Sequence, residues 1–487
     1  MAAIKAFLAP ILFVLAYVSI LGGIICLPPF LLDFHTSHQA SMSFLYSALL
    51  CILIGIALLL YIGLQKLLVS TRQLYLITVS SWFWFACIGA IPLYLGIPSI
   101  SFTDAFFEAM SGITTTGSTV LSGLDTLPHS FLLWRALLQW CGGIGIIVLG
   151  IAILPYLRVG GMKMFATESS DWSGKTVPHT HKFIQNIGGI YIGLTMTACV
   201  AYWLAGMGVF DAITHSMTTL ATGGYSNYDA SMGHFNDRPL ILWASSFFML
   251  MGALPFSLYV SFLHGNREAF FKDSQVRGFL TFVAICIFLF SIERAWSGSV
   301  DYFASLTQVT FNVISVITTC GYASDDYTQW GSYAVIIFFY IMFIGGCSGS
   351  TSGAMKFFRF QVALVLLKNQ LFLMRHPRAV IPSNYNGKEI STDITRSVMA
   401  FSFFFAFTIA LLALLLSLTG LDFITSMSAA ATAVTNVGPG LGPVVGPAGN
   451  FSSLSDTAKW LLCLGMLIGR LEIMTVIVIF TRAFWRR

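Results

Sequence analysis

The chain alternates long apolar stretches with short polar ones. Apolar runs fall at roughly 6–31, 43–64, 73–96, 130–156, 184–208, 239–263, 277–296, 333–373, 397–419 and 457–482. A helix needs about 20 such residues to cross a hydrocarbon core of about 30 Å, so each run predicts a membrane span. Runs of this length favour a helical bundle over a β-barrel. The first run follows a single positive charge, Lys5, and is too long for a secretory leader. No small-residue cleavage pattern comes after it, so it reads as a retained helix.

Four of the polar intervals share one pattern: Ile113-Thr114-Thr115-Thr116-Gly117-Ser118, Leu220-Ala221-Thr222-Gly223-Gly224-Tyr225, Thr318-Thr319-Cys320-Gly321-Tyr322 and Val434-Thr435-Asn436-Val437-Gly438-Pro439. Each lies between two spans and follows a short apolar segment that opens at Asp104, Asp211, Asp301 or Asp422. Asp is a good helix N-cap, so a short capped helix is expected before each pattern. The Asp-to-Gly spacings are 13, 13, 20 and 16 residues, which leaves the starts of the third and fourth helices open. The expected organisation is a leading two-helix segment (1–72) and four repeats of helix, pore loop, helix: 73–182, 183–276, 277–390 and 391–487. Internal repetition of this kind decides the fold.

A strand of this composition suits ion dehydration. A K⁺ ion gives up its water only where several oxygens replace it, and four extended strands aiming carbonyls at one axis can supply them, with Thr hydroxyls adding a further ring. Glycine permits the left-handed dihedrals that such a strand requires. The candidate K⁺-binding residues are therefore Thr114, Thr115, Thr116 and Gly117; Ala221, Thr222, Gly223 and Gly224; Thr318, Thr319, Cys320 and Gly321; Thr435, Asn436, Val437 and Gly438. The short helices would turn their negative C-terminal ends toward the ion.

Composition agrees with a membrane protein. The 487 residues are 56% hydrophobic and 9% charged, against about 25% charged in soluble domains. With the N-terminus inside, twenty of the twenty-five Lys and Arg fall on the inner side, among them Lys66, Arg158, Lys163, Lys175, Arg267, Arg277, Lys356 and Arg359. This bias predicts cytoplasmic termini and pore loops toward the outside. It also accounts for the net charge of +5 without a nucleic-acid partner.

Two runs depart from a plain helix. The run at 333–373 is too long for one crossing and is interrupted by Gly345-Gly346-Cys347-Ser348-Gly349-Ser350-Thr351-Ser352-Gly353. So much Gly and Ser does not hold a helix. Non-helical backbone at membrane depth occurs only against protein or water. The run reads as a mobile constriction, a gate, or else as a close-packing kink. No G-K-[ST] follows it, which argues against a nucleotide loop. The last run carries Arg470 near its middle, where a charge costs at least about 2.5–3.5 kcal/mol and must face protein or water. Glu472 lies on another helix face, so the Gly/Ser run is its expected partner. Arg470 either slows cations beneath the filter or holds a helix crossing. Arg135 is expected to snorkel or to pair locally.

The remaining candidates read blandly. The nine scattered cysteines lack a C-x-x-C and read as buried free thiols. His35 and His38 alone do not make a metal site, and Gly142-Gly143-Ile144-Gly145 reads as helix packing. Asp104, Glu108, Asp125, Asp211, Asp229, Asp301, Asp325, Asp326, Asp422 and Asp456 fall outside or near the outer mouth, as caps or as a cation-concentrating field. No clustered His, Cys, Asp or Glu marks an enzyme.

Four pore loops with one Gly each, a Gly/Ser-broken helix in the third repeat and Arg470 together resemble the Trk/Ktr/HKT superfamily of K⁺ transporters, and the two leading helices resemble its TrkH/TrkG branch. The resemblance covers almost the whole chain. It implies a bacterial inner-membrane K⁺ uptake protein with an all-α fold, K⁺ as the transported ion and no cofactor in this chain. It implies a homodimer in membrane lipid, each subunit with its own pore, and a cytoplasmic nucleotide-binding regulatory subunit of the TrkA type. Gly345, Gly346, Ser348, Gly349, Ser350, Thr351, Ser352 and Gly353 match the family's intramembrane gate, and Arg470 its buried basic residue. Ser118, Asn436 and Pro439 depart from the Thr-Val-Gly-Tyr-Gly of tetrameric channels. The alternative to a gated pore is an H⁺- or Na⁺-coupled symporter, for which few mid-membrane carboxylates are candidates, Glu472 being one.

Overall fold

The computed structural model describes residues 2–63, 69–98, 100–152, 178–296 and 302–486. Lys66, Arg158, Lys163, Lys175 and Asp301 lie outside the described residues. The protein is an all-α membrane protein; among the described residues 8 helices are long and apolar enough to cross a bilayer, or up to 10 if each of two bent pairs is one span.

The leading pair is α1 (Ala2–Ile25), continued by α2 (Leu27–Leu32) and returning as α3 (His38–Ile62). Next come α4 (Thr71–Gly96), the short α5 (Phe102–Ile113) and α6 (His129–Ala152). The same long–short–long order recurs as α7 (Pro178–Leu204), α8 (Val209–Leu220) and α9 (Pro239–Ala253) with α10 (Phe256–Leu263). The third occurrence is α11 (Ser274–Trp296), α12 (Tyr302–Ile317) and α13 (Ser332–Ile341) with α14 (Phe357–Arg375). The fourth is α15 (Thr392–Ser417), α16 (Phe423–Thr435) and α17 (Asp456–Arg470) with α18 (Ile473–Ile477). The four short helices run inward and end at the four Thr-x-Gly patterns.

Helix starts correct one expectation. Of the three described Asp residues only Asp422 caps its short helix, accepting from the amides of Ile424 and Thr425. Hydrogen bonds from the Thr425 hydroxyl and amide hold its carboxyl below the usual range. Asp104 sits three residues inside α5, which Ser101 caps, and Asp211 sits three residues inside α8, which follows Gly208. A carboxylate in the first turn still complements the helix dipole, which explains why Asp marks these starts without capping them.

Two spans read as single helices are broken. Residues 239–263 bend by 91° between Ala253 and Phe256, at Leu254-Pro255. Residues 456–480 bend by 112° after Arg470, with Glu472 at φ +63°. The expected break in the eighth run is present. The helix stops at Ile341, and β1 (Ile344–Gly345) pairs in parallel with β2 (Met355–Lys356). The Gly/Ser segment lies between these strands as a closed loop.

Candidate functional site

Each short helix ends in the same backbone figure. The residue two before the glycine is left-handed in all four loops: Thr115 (φ +50°), Thr222 (+49°), Thr319 (+58°) and Asn436 (+56°). Asn tolerates this region, whereas a β-branched Thr there is an outlier of the kind that functional sites hold under strain. The next amide turns back to the helix: Thr116 to Ser111 O (2.9 Å), Gly223 to Thr218 O (2.9 Å), Cys320 to Ser315 O (2.8 Å) and Val437 to Thr432 O (3.2 Å). With the N–H groups satisfied by their own helix, the carbonyls point the other way.

Those carbonyls close a ring. A Cβ built on Gly117 would lie 2.3 Å from Gly223 O, one on Gly224 2.0 Å from Cys320 O, one on Gly321 1.8 Å from Val437 O, and one on Gly438 2.7 Å from Thr116 O. Each of the four loop glycines thus faces the carbonyl that precedes the glycine of the next loop, in the cyclic order one, two, three, four, one. All four also have positive φ, from +76° to +108°. No side chain fits on dihedral or on steric grounds.

The side chains behave less uniformly than expected. The hydroxyls of Thr114, Thr318 and Thr435 donate to Met110 O, Ile314 O and Ala431 O of their own helices rather than forming a simple further ring. Asn436 donates to Thr116 Oγ1 (2.9 Å) and Met466 O (3.0 Å). Above the ring lies a vestibule of about 330 Å³, walled by Gly117, Gly224, Gly321, Gly438 and Pro439 among others. Below it, Gly142 and Gly469 of the long helices pack so closely that a Cβ would lie 2.0 Å from Ile113 O and from Val434 O respectively, the carbonyls entering loops one and four. Helix packing is therefore what Gly142 does.

The Gly/Ser loop is bonded to three of the four Thr-x-Gly loops. Ser352 Oγ donates to Thr318 O (2.8 Å), the Gly353 amide to Thr319 Oγ1 (2.6 Å) and the Ala354 amide to Thr435 O (2.8 Å). Thr351 Oγ1 donates to Leu220 O (3.0 Å) and Gly252 O (2.9 Å). The Ser348 amide bonds Gln275 Oε1, and Ser350 Oγ bonds Cys347 O. Gly345 and Gly346 admit close backbone on either side, with Gly353 O 2.2 Å and Ala253 O 2.8 Å from their would-be Cβ atoms. Gly349 is different: it has φ +74° and open space around it.

Arg470 Nη1 donates to Thr351 O (2.8 Å), the expected partner, while Nε and Nη2 have no protein partner among the described residues. Glu472 pairs instead with Arg359 (2.8 Å), and Lys356 Nζ donates to Ser352 O. Two residues assigned by sequence to the inner basic surface are thus buried beside the loop.

Behind the loops lies a buried ion pair: of the two expectations for Arg135, pairing holds, with a partner the sequence reading did not name. Arg135 does not snorkel. Its Nε is 2.8 Å from Glu108 Oε1, its Nη1 donates to Ser226 O, and its guanidinium lies 4.1 Å over the Tyr225 ring. Glu108 is fully buried, not at the mouth, and also accepts from the Val120 amide and Thr119 Oγ1. Gln139 was equally unread: its Nε2 donates to Gly223 O (2.6 Å) and its Oε1 accepts from the Tyr225 amide (3.0 Å). The predicted acidic field is thinner than expected, because Asp104 pairs with Lys459 and Asp325 with Arg294. Asp229, which accepts from the Gly123 and Leu124 amides, lines the vestibule. All nine cysteines are free thiols. No group of three or more His, Cys, Asp or Glu is placed to hold a metal among the described residues.

Comparison with known proteins places this geometry. The family profile described as TrkH, cation transport protein, matches residues 40–487. The Trk system potassium uptake protein TrkI of Halomonas elongata is 52% identical over 481 residues, covering 98% of this chain and 97% of its own. The Trk system potassium uptake protein TrkH of Escherichia coli is 37% identical over 425 residues, 86% of each chain. The crystal structure of the potassium transporter TrkH from Vibrio parahaemolyticus superimposes with a TM-score of 0.90 at 32% identity, covering 99% of this chain and 100% of that one.

Proposed function

The chain belongs to the TrkH family of cation transport proteins, and from that premise we propose that it takes up K⁺ across a bacterial inner membrane through its own gated pore. The observation that carries this reading is the closed ring of Gly223, Cys320, Val437 and Thr116 carbonyls against the four filter glycines. Four carbonyls at one level replace part of a K⁺ hydration shell. The candidate filter residues bind the ion in turn, and 345–353 is the gate, held closed by its hydrogen bonds to the filter strands and by Arg470. A membrane potential supplies about 2.3 kcal/mol per charge per 100 mV, so uptake needs no chemistry in this chain.

Coupled symport is the weaker reading. It requires a mid-membrane carboxylate that trades protons, and Glu472 is held by Arg359. The relatives are named as parts of a Trk system, which supports work with further components; a homodimer and a cytoplasmic nucleotide-binding subunit are what the family resemblance implies. The cytoplasmic placement of both termini follows from the basic-residue bias.

The test is K⁺ and Na⁺ uptake into liposomes for wild type, Gly321→Ser and Gly420→Ser. Gly420 has φ +91° but nothing within 4 Å of a built Cβ. It isolates the dihedral cost, about 1–2 kcal/mol. Gly321→Ser is expected to lower the K⁺/Na⁺ ratio and Gly420→Ser to leave it unchanged. An unchanged ratio in Gly321→Ser removes the filter assignment. An imposed pH gradient at zero potential that drives K⁺ accumulation would instead favour symport.

A further inference from the structure

The bend in the second repeat is fastened to the Gly/Ser loop. The Cys347 amide donates to Ala253 O (2.9 Å), the Thr351 amide to Gly252 O (3.2 Å), and the Phe256 amide to Gly349 O (2.9 Å). The Leu254-Pro255 elbow is therefore a strap across the loop. Its backbone groups, freed where Pro255 interrupts the helix, are satisfied by the loop itself.

The other side of the same elbow faces a cavity of about 1030 Å³, three times the vestibule. Its walls come from α7, the elbow, α10 and the start of α11, with Gly189, Gly193, Leu254, Tyr259, Phe270 and Leu280 among the lining residues. Gly189 and Gly193 have nothing within 4 Å of a built Cβ, so the missing side chains themselves open the groove. Tyr259 Oη donates to Met251 O and ties the cavity wall to the last turn before the bend.

Part of the cavity lining is cationic. Helix α9 starts beyond the vestibule-lining Ser231 and descends to the loop, where the chain turns by 91° into α10. Arg267, Arg277 and His264 are among the lining residues, and both arginines are exposed. The neighbouring carboxylates are engaged: Glu268 pairs with Lys272, and the buried Asp273 accepts from the Val276 amide and from Asn386. A mostly apolar groove with two exposed arginines among its lining residues matches an acyl chain carrying an anionic headgroup.

We propose that this cavity binds one anionic phospholipid, its phosphate on Arg267 and Arg277 and its acyl chains behind Leu254-Pro255, and that the lipid braces the strap on the Gly/Ser loop. The regulatory half rests on the gate reading above. A filled cavity fixes the elbow, and the elbow holds Cys347, Gly349 and Thr351 in place. An emptied cavity lets the strap move outward and takes its three backbone bonds with it.

The experiment combines lipid retention and flux. Full-length protein is purified with phosphatidylglycerol and studied by native mass spectrometry, then reconstituted into phosphatidylcholine vesicles with or without phosphatidylglycerol. The variants are the double substitution Arg267→Gln/Arg277→Gln, which removes the headgroup site, and Gly189→Leu/Gly193→Leu, which fills the groove into open space. Wild type is expected to retain phosphatidylglycerol and both variants to lose it about tenfold or more, the scale of two arginine–anionic lipid contacts. Phosphatidylglycerol is expected to change K⁺ flux through wild type and to leave both variants unaffected. Equal lipid retention by the variants overturns the site. Wild-type flux that is the same in both vesicle types overturns the coupling. Dissociation of an oligomer by the variants, with lipid retention unchanged, assigns the cavity to a second copy of the chain and overturns the proposal as well. Failure of the pore reading looks different, because then no vesicle shows K⁺-selective flux.

Discussion

Removing Arg135 tests how the filter is held from behind. Arg135 and Glu108 are 2% and 0% exposed and 2.8 Å apart, one on a long helix and the other on a pore helix. Arg135→Met would leave the Glu108 carboxylate buried with only the Val120 amide and the Thr119 hydroxyl as donors. Breaking one side of a buried pair costs about 3–5 kcal/mol. The lost bond to Ser226 O adds about 1 kcal/mol or more. Glu108→Gln strands the guanidinium instead, softened by Ser226 O and the Tyr225 ring, so its cost belongs at the lower end of that range. In the double variant no charge remains, and the side-chain amide introduced by Glu108→Gln still accepts from Val120 and Thr119. The double variant is therefore expected to cost only about 1–3 kcal/mol, less than Arg135→Met alone. The assay is reversible denaturation in mixed micelles for all four proteins, with K⁺/Na⁺ flux alongside. Because Glu108 holds the limb after loop one and Arg135 the limb after loop two, the single variants are also expected to lose selectivity. Additivity of the two single costs to within about 0.5 kcal/mol would refute the reasoning, since it would mean that the two groups do not interact.

Two further outcomes follow from the same geometry. Gln139→Leu leaves the Tyr225 amide buried without its acceptor and Gly223 O without its donor, at about 1–3 kcal/mol for each such group. Its K⁺/Na⁺ ratio is expected to fall by about tenfold, one quarter of the ring having lost its support, and liposome flux measures it. Arg470→Gln removes the positive charge beneath the filter and weakens the bond to Thr351 O, so unitary or tracer K⁺ flux should rise; an unchanged or lower flux would make Arg470 a helix brace.

What the sequence made legible were the positions with a single chemical solution. Gly117, Gly224, Gly321 and Gly438 could be read because left-handed dihedrals and a facing carbonyl exclude every other residue. The Gly/Ser run could be read because it lacks a helix propensity. Features that depend on distant pairing were hidden. Glu108 and Arg135 are 27 residues apart. Each looked like a surface charge until the pore helix packed on its partner and removed both from solvent. Lys356 and Arg359 were counted toward the inner charge bias, and only the bend after Arg470, which brings Glu472 round, exposes their burial beside the loop. The Leu254-Pro255 elbow was averaged away inside a continuous apolar run, although Pro255 was its visible mark. Helix caps were misplaced because Asp in the first turn and Asp at the cap leave the same trace in a sequence.

The ring of carbonyls is built from one polypeptide, and this changes how it can vary. In a ring of four identical subunits a substitution enters four times, so every filter change is a full dose. Here each change enters once. Gln139 supports only the second quadrant, Asn436 crosses only from the fourth to the first, and the Gly/Ser loop touches the second, third and fourth but makes no such bond to the first among the described residues. Quadrants can therefore drift apart without breaking the ring, and selectivity and gating become separately adjustable traits. Serine placed in turn at positions 117, 224, 321 and 438 should give four different phenotypes from one chemical change, ordered by what stands behind each loop.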